Sequence, residues 1–193
     1  MKKIFLLAII ASILASCSFF RSSVVVENDK IMNSRRVIYD MSFTNNTRYE
    51  QVYSQFLTVM KETDRNNQTT FSLYDVITLP VNSFEIDENK MYLIINDEIF
   101  SLTNTYKKQF NQRSISEKKD EILKSDSTKV SVVTGYDVTN QKKVQMTHVV
   151  APEIMNKILS AKEVHLRYYV GPNIINSEIK GTKLSNLKTL IKR

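Results

Sequence analysis

An α+β fold is what this 193-residue chain predicts. Several stretches alternate apolar and polar residues with a period of two, and a few repeat with the 3.6-residue period of a helix. Only three glycines occur, too few for the phosphate-cradling turns of a nucleotide-binding α/β fold. The natural solution is a mainly antiparallel sheet of about six to eight strands with two or three flanking helices.

The elements follow in order. Residues 18–34 mix Ser, Asn and charged residues with one short apolar run, Val24-Val25-Val26, and read as a tether that can carry a brief strand. Residues 35–43 alternate Val37, Tyr39, Met41 and Phe43 with Arg36, Ile38, Asp40 and Ser42, the period of two of a strand. Residues 48–57 place Tyr49, Val52, Tyr53, Phe56 and Leu57 at helical spacing and predict a helix, although Phe56 to Met60 has β character. Asp64 to Asn67 makes a turn. Residues 69–79 form a strand with Phe71, Leu73, Asp75 and Ile77 on one face, ended by Pro80. A short strand over 83–86 and a polar turn over 87–90 lead to a hairpin over 91–102, turned at Asn96-Asp97.

Residues 103–129 are polar and lysine-rich, and predict a long exposed loop with one modest helix over 116–124. Residues 130–138 and 143–150 read as a second hairpin, with a turn at Thr139 to Lys142 and a bulge at Gly135. Pro152 opens a helix whose stripe is Ile154, Ile158 and Leu159. Residues 163–170 form a strand, Gly171-Pro172-Asn173 a turn, and Thr182 caps a last helix with Leu184, Leu187, Leu190 and Ile191 on one side.

The amino-terminal stretch concerns location rather than fold. Lys2 and Lys3 precede eleven apolar or small residues, Ile4 to Leu14, and then Ala15, Ser16 and Cys17. A basic start, an apolar run and a small-residue exit make a secretory signal. The run falls short of the ~20 residues a transmembrane helix needs. Leu14-Ala15-Ser16-Cys17 resembles the lipobox of bacterial lipoproteins. The resemblance implies that Cys17 receives a diacylglyceryl group, that cleavage falls before it, and that the new terminus is fatty-acylated. Residues 1–16 are then a cleaved signal, 17–34 the lipidated cysteine and tether, and 35–193 a single α+β domain. With Cys17 lipidated, the only cysteine is spent and no disulfide forms within the chain. In a host with two membranes, Ser18 after the cysteine resembles the residue of lipoproteins sorted to the outer one.

Charge is uneven: residues 18–105 hold 8 basic and 12 acidic side chains, residues 106–193 hold 17 and 8. A basic half beside a membrane suits anionic headgroups, an anionic envelope polymer or an acidic envelope protein; the plainer reading is a lysine-rich solvated surface. Lys183, Lys188, Lys192 and Arg193 are the candidate basic patch. Nucleic acid is a poor fit to an exported chain. His165, Arg167 and Tyr169 alternate along one strand and make a candidate binding face, with arginine beside an aromatic suiting an anionic group. The alternative is that this face packs under a helix with Arg167 paired to a carboxylate.

Catalytic spacing is missing from the sequence. There is no GxSxG and no HExxH, and the two histidines, His148 and His165, stand on separate strands. No metal or cofactor is expected. The reading is a membrane-anchored envelope lipoprotein acting as a non-enzymatic binding or assembly module. The alternative is an envelope hydrolase whose site assembles in space around His148 or His165.

Overall fold

The computed structural model describes residues 23–43, 52–123 and 128–193. Among the described residues ten strands and two helices follow one another: β1 (Val25–Asp29), β2 (Ser34–Phe43), β3 (Ser54–Thr63), β4 (Thr69–Pro80), β5 (Ile86–Ile95), β6 (Glu98–Ser101), β7 (Asn104–Leu123), β8 (Lys129–Val150), α1 (Pro152–Lys157) running into a 3₁₀ turn (Ile158–Ser160), β9 (Val164–Val170), β10 (Asn173–Ile179) and α2 (Gly181–Lys192). The strands form two sheets, ordered β1-β2-β3-β4-β8-β7 and β10-β9-β5-β6, with antiparallel pairing throughout. The antiparallel sheet is therefore as expected, but the molecule is largely β rather than α+β.

Alternation decides which face each strand buries. Val37, Tyr39, Met41 and Phe43 of β2, Leu57 and Val59 of β3, Phe71, Leu73, Ile77 and Leu79 of β4, and Val144 and Met146 of β8 turn inward from the large sheet. Met91, Leu93 and Ile95 of β5 and Val164, Leu166, Tyr168 and Val170 of β9 meet them from the small one. The helix α2 packs on β2, β3 and the 3₁₀ turn, burying Leu184, Leu187, Leu190 and Ile191. Leu187 is 2% exposed, so Leu187→Ala leaves an unfilled volume and should cost about 3 kcal/mol in chemical denaturation, the range for a buried leucine.

Turns behave as their residues require. Asn67 and Asn96 take positive φ, of 59° and 51°, where asparagine is tolerated. Gly171 has φ +58°, and a Cβ there would lie 2.4 Å from the Phe84 ring.

Several expected elements are corrected. The predicted helix over 48–57 overlaps β3: residues 54–57 are strand, because β2 and β4 pair it on both edges, while residues 48–51 lie outside the described residues. The brief strand allowed for in the expected tether is present, by contrast, as Val25 to Asp29 paired to Ser34–Ile38. No separate strand spans 83–86; the polar turn at 87–90 is an irregularity within β5, whose register against β9 shifts between Ile86 and Met91. The last helix begins at Gly181, with Lys180 rather than Thr182 at its N-cap, and β10 replaces an unassigned stretch.

The largest correction is at 103–129 and 139–142. Over residues 104–123 the expected loop and helix are the 20-residue strand β7, residues 124–127 lie outside the described residues, and the expected turn at Thr139 to Lys142 is the middle of the 22-residue strand β8. The two pair almost end to end, from Asn104↔His148 to Leu123↔Lys129. The expected irregularity at Gly135 is present: Lys118 pairs with Gly135 but Lys119 with Val133, leaving Thr134 as the extra residue of a bulge.

Candidate binding surfaces

The first surface is the outer side of the small sheet. Strand alternation sends Val164, Leu166, Tyr168 and Val170 into the core and leaves His165, Arg167 and Tyr169 half-buried on the opposite side. These three candidate residues do share a face, and no helix lies over it among the described residues: α1 packs on β4, and α2 on β2, β3 and the 3₁₀ turn. Cross-strand neighbours complete the surface. Tyr92 of β5 and Asn176 of β10 flank Arg167. The Tyr92 and Tyr169 rings meet edge to face with centroids 6.2 Å apart.

At the far end of the same face, Glu163, His165 and Glu178 bring one ligating atom each to within 4.8 Å of one another. Glu163 Oε2 stands 3.8 Å from His165 Nε2, and the Asn176 amide is 3.3 Å from His165 Nδ1. Glu178 is bound by Lys180 at 2.6 Å, and that hydrogen bond holds its carboxyl below the usual carboxylate range. These three residues could hold a divalent cation only by displacing Lys180. His148 lies elsewhere, fully buried on the inner side of β8. The hydrolase reading needs a histidine with a carboxylate in a cleft. His165 has the carboxylate on an open face, and His148 has no carboxylate partner among the described residues, its polar neighbour being the Thr103 backbone.

The candidate basic patch is divided by the fold. Lys183 donates to the Ser42 carbonyl at 2.6 Å and sits 4.3 Å from the centre of the Phe43 ring. Lys188 donates to the Ala161 carbonyl at 2.7 Å, and Arg193 reaches the Val24 carbonyl at 3.4 Å. Three of the four cations therefore fasten α2 to its surroundings, and Lys192 stays exposed. Arg35, which donates to the Arg193 carbonyl, and Lys61, which donates to the Ile191 carbonyl at 2.8 Å, join this end of the helix.

The second surface was hidden in the sequence. Every residue from Asn111 to Ile122 of β7 is exposed, as are Tyr136 to Asn140 opposite them. The two strands run on as a two-stranded arm of about 35 Å, at 3.3 Å per residue. Its one face continues the core-facing side of β8, so Val138 and Tyr136 follow Val144 and Met146. Ile115 lies opposite Val138, and the bulge at Thr134 switches the parity so that Val133 joins them. Ile115, Tyr136 and Val138 are 57%, 66% and 47% exposed. Ile122, Val130 and Val132 gather on the other face near the tip.

A third group is internal and joins the two sheets. Asp75 of β4 accepts hydrogen bonds from the Tyr168 hydroxyl of β9 and from Gln55 Nε2 of β3, the latter at 2.9 and 3.1 Å. Ser177 of β10 donates to Gln55 Oε1. All four side chains are buried. Burial pushes the Asp75 carboxyl up to about 7, against the pull of its Tyr168 and Gln55 hydrogen bonds. Burial likewise raises the Tyr168 hydroxyl and lowers the His148 imidazole. The alternation placed Asp75 on an apolar face, and that was the one available signal for this cluster.

The chain matches no protein-family model and no curated protein sequence. Among the described residues, no helix is long and apolar enough to cross a membrane.

Proposed function

We propose that this is a lipid-anchored envelope protein, acting without catalysis as a binding or assembly module whose β7–β8 arm engages a protein partner. The observation that carries the reading is the arm itself. A two-stranded ribbon standing away from a core is marginal on its own, and this one exposes a cluster of Ile115, Val133, Tyr136 and Val138. Contiguous exposed apolar side chains mark contact surfaces. Over residues 113–140 the described charges balance: Arg113, Lys118, Lys119 and Lys129 stand against Glu117, Asp120, Glu121 and Asp137. An arm with no net charge among these groups has no electrostatic pull on an anionic polymer, whereas tyrosine and aliphatic side chains suit a protein interface. The lipobox resemblance supplies the compartment.

A photoreactive amino acid placed at Tyr136 in intact cells should give one discrete adduct, and the same group at Asp137, on the opposite face, should give much less. Replacing residues 113–140 by Asn-Gly between the paired Gln112 and Gln141 should remove the interaction and leave the melting temperature of the body within a few degrees. Equal adducts at 136 and 137, or none at 136, would count against the arm as the contact.

A further inference from the structure

We propose that the open face around Arg167 is a binding site for a single terminal oxyanion, a carboxylate or a phosphate, carried on a small neutral or cationic group. This rests on neither the arm nor the lipid anchor. Strand β9 is an interior strand, held by β5 on one side and β10 on the other, so the stem of Arg167 rises from a rigid base. Tyr92 and Asn176 stand beside it on the neighbouring strands, and Tyr169 follows it on its own. The edge-to-face packing of Tyr92 on Tyr169 holds two rings on the face that carries Arg167.

Within this frame Arg167 Nε is shielded from solvent, with no hydrogen-bond partner among the described residues. A shielded, charged donor left unpaired is unfavourable. The sheet has a ready structural remedy that it does not use. Glu178 lies on the same face, two residues beyond the cross-strand neighbour of Arg167, yet it pairs with Lys180. Glu163 is likewise on this side and approaches His165. An arginine present only to tie strands together would take one of these carboxylates. Arg167 instead presents a planar fork of donors, the geometry that meets two oxygens of a carboxylate or phosphate at once.

The rest of the face sets the selectivity. The residues nearest Arg167 in the sheet are uncharged: Tyr92 and Asn176 on the neighbouring strands and Tyr169 on its own, with the Asn176 amide lying 3.3 Å from His165 Nδ1. Glu163 and Glu178 lie at the other end with His165 between them. A polyanion laid along the strand would meet those carboxylates. A ligand with one anionic end at Arg167 and a neutral or cationic remainder would not.

The test follows the Arg167 Nε–H resonance in the full chain, purified in non-ionic detergent, during titration with sodium phosphate, sodium propionate or, at equal ionic strength, sodium chloride. A saturable shift with phosphate or propionate and none with chloride is expected, and whichever anion saturates identifies the class. Binding followed at the Tyr92 and Tyr169 rings should weaken at least tenfold in Arg167→Gln, and clearly in Arg167→Lys, which keeps the charge but loses the fork. Asn176→Asp places a carboxylate beside Arg167 without removing it, and should abolish binding while the melting temperature holds. Linear shifts, equal response to chloride, or an Asn176→Asp protein that binds like wild type would each overturn the proposal. The last variant keeps the test decisive if Arg167→Gln does not fold.

Discussion

Asp75→Asn should stabilise the protein by about 3 kcal/mol at pH 8.5 and change it little at pH 4.5, measured by urea unfolding at both values. The Asp75 carboxyl is buried between the sheets and raised from 3.8 to about 7. Between those values the folded state holds a proton that the unfolded state has released, so stability falls as pH rises through this window and is fully present only below it. One pKa unit corresponds to about 1.4 kcal/mol, which sets the scale. Asparagine is never charged. It fits the same network if Gln55 turns over, accepting from the new amide and donating to Ser177.

The wild-type profile alone will not reveal this, because His148 works in the opposite direction. Burial depresses its pKa, so the stability it contributes is present above about 6.5, the unfolded value, and is lost as pH falls. Two buried groups of opposite sign thus partly cancel between pH 4 and 6.5. In Asp75→Asn the histidine should be unmasked, and stability should fall with falling pH. In His148→Gln the carboxyl should be unmasked, and stability should fall with rising pH. If both variants keep the wild-type slope, neither group titrates across folding in the way its burial requires.

Cys17→Ala should abolish fatty-acid labelling of the protein and leave the precursor uncleaved, read from metabolic labelling and intact mass. Cys17 lies outside the described residues, so the expectation rests on the lipobox resemblance and on physics. A thiolate is the nucleophile toward an alkylating lipid donor, and alanine offers none. Two or more acyl chains hold a protein on a bilayer firmly, whereas one holds it marginally. The first described strand begins eight residues beyond Cys17, so a lipid on Cys17 would hold the body within about 30 Å of the surface, the longest reach of that many residues. Arg193 contacts Val24 at the start of that strand, which places the basic carboxyl-terminal end of α2 beside the tether. Labelling that persists in Cys17→Ala would remove the anchor and the compartment with it.

What was legible in the sequence was local. The period-two alternation in β2, β4 and β9 assigned each side chain to its face, because a strand offers only two, and it put His165, Arg167 and Tyr169 together. Asn96-Asp97 made its turn because asparagine tolerates the positive φ that the turn demands. The stripe of α2 is visible in the letters because a helix on a sheet needs only one apolar side. What tertiary structure alone decided was non-local. Ser116 to Lys119 has little intrinsic preference for a strand and became one because β8 lies alongside it. The helical spacing that runs from Val52 and Tyr53 to Phe56 and Leu57 lost, from Ser54 onward, to pairing on both edges of β3. Asp75 meets Tyr168 across 93 residues of chain, and whether Arg167 would be covered depended on where α2 settled. Period and turn chemistry act between near neighbours and survive in a string of letters. Edge pairing, burial and the company a charge keeps are set by partners that only folding brings close.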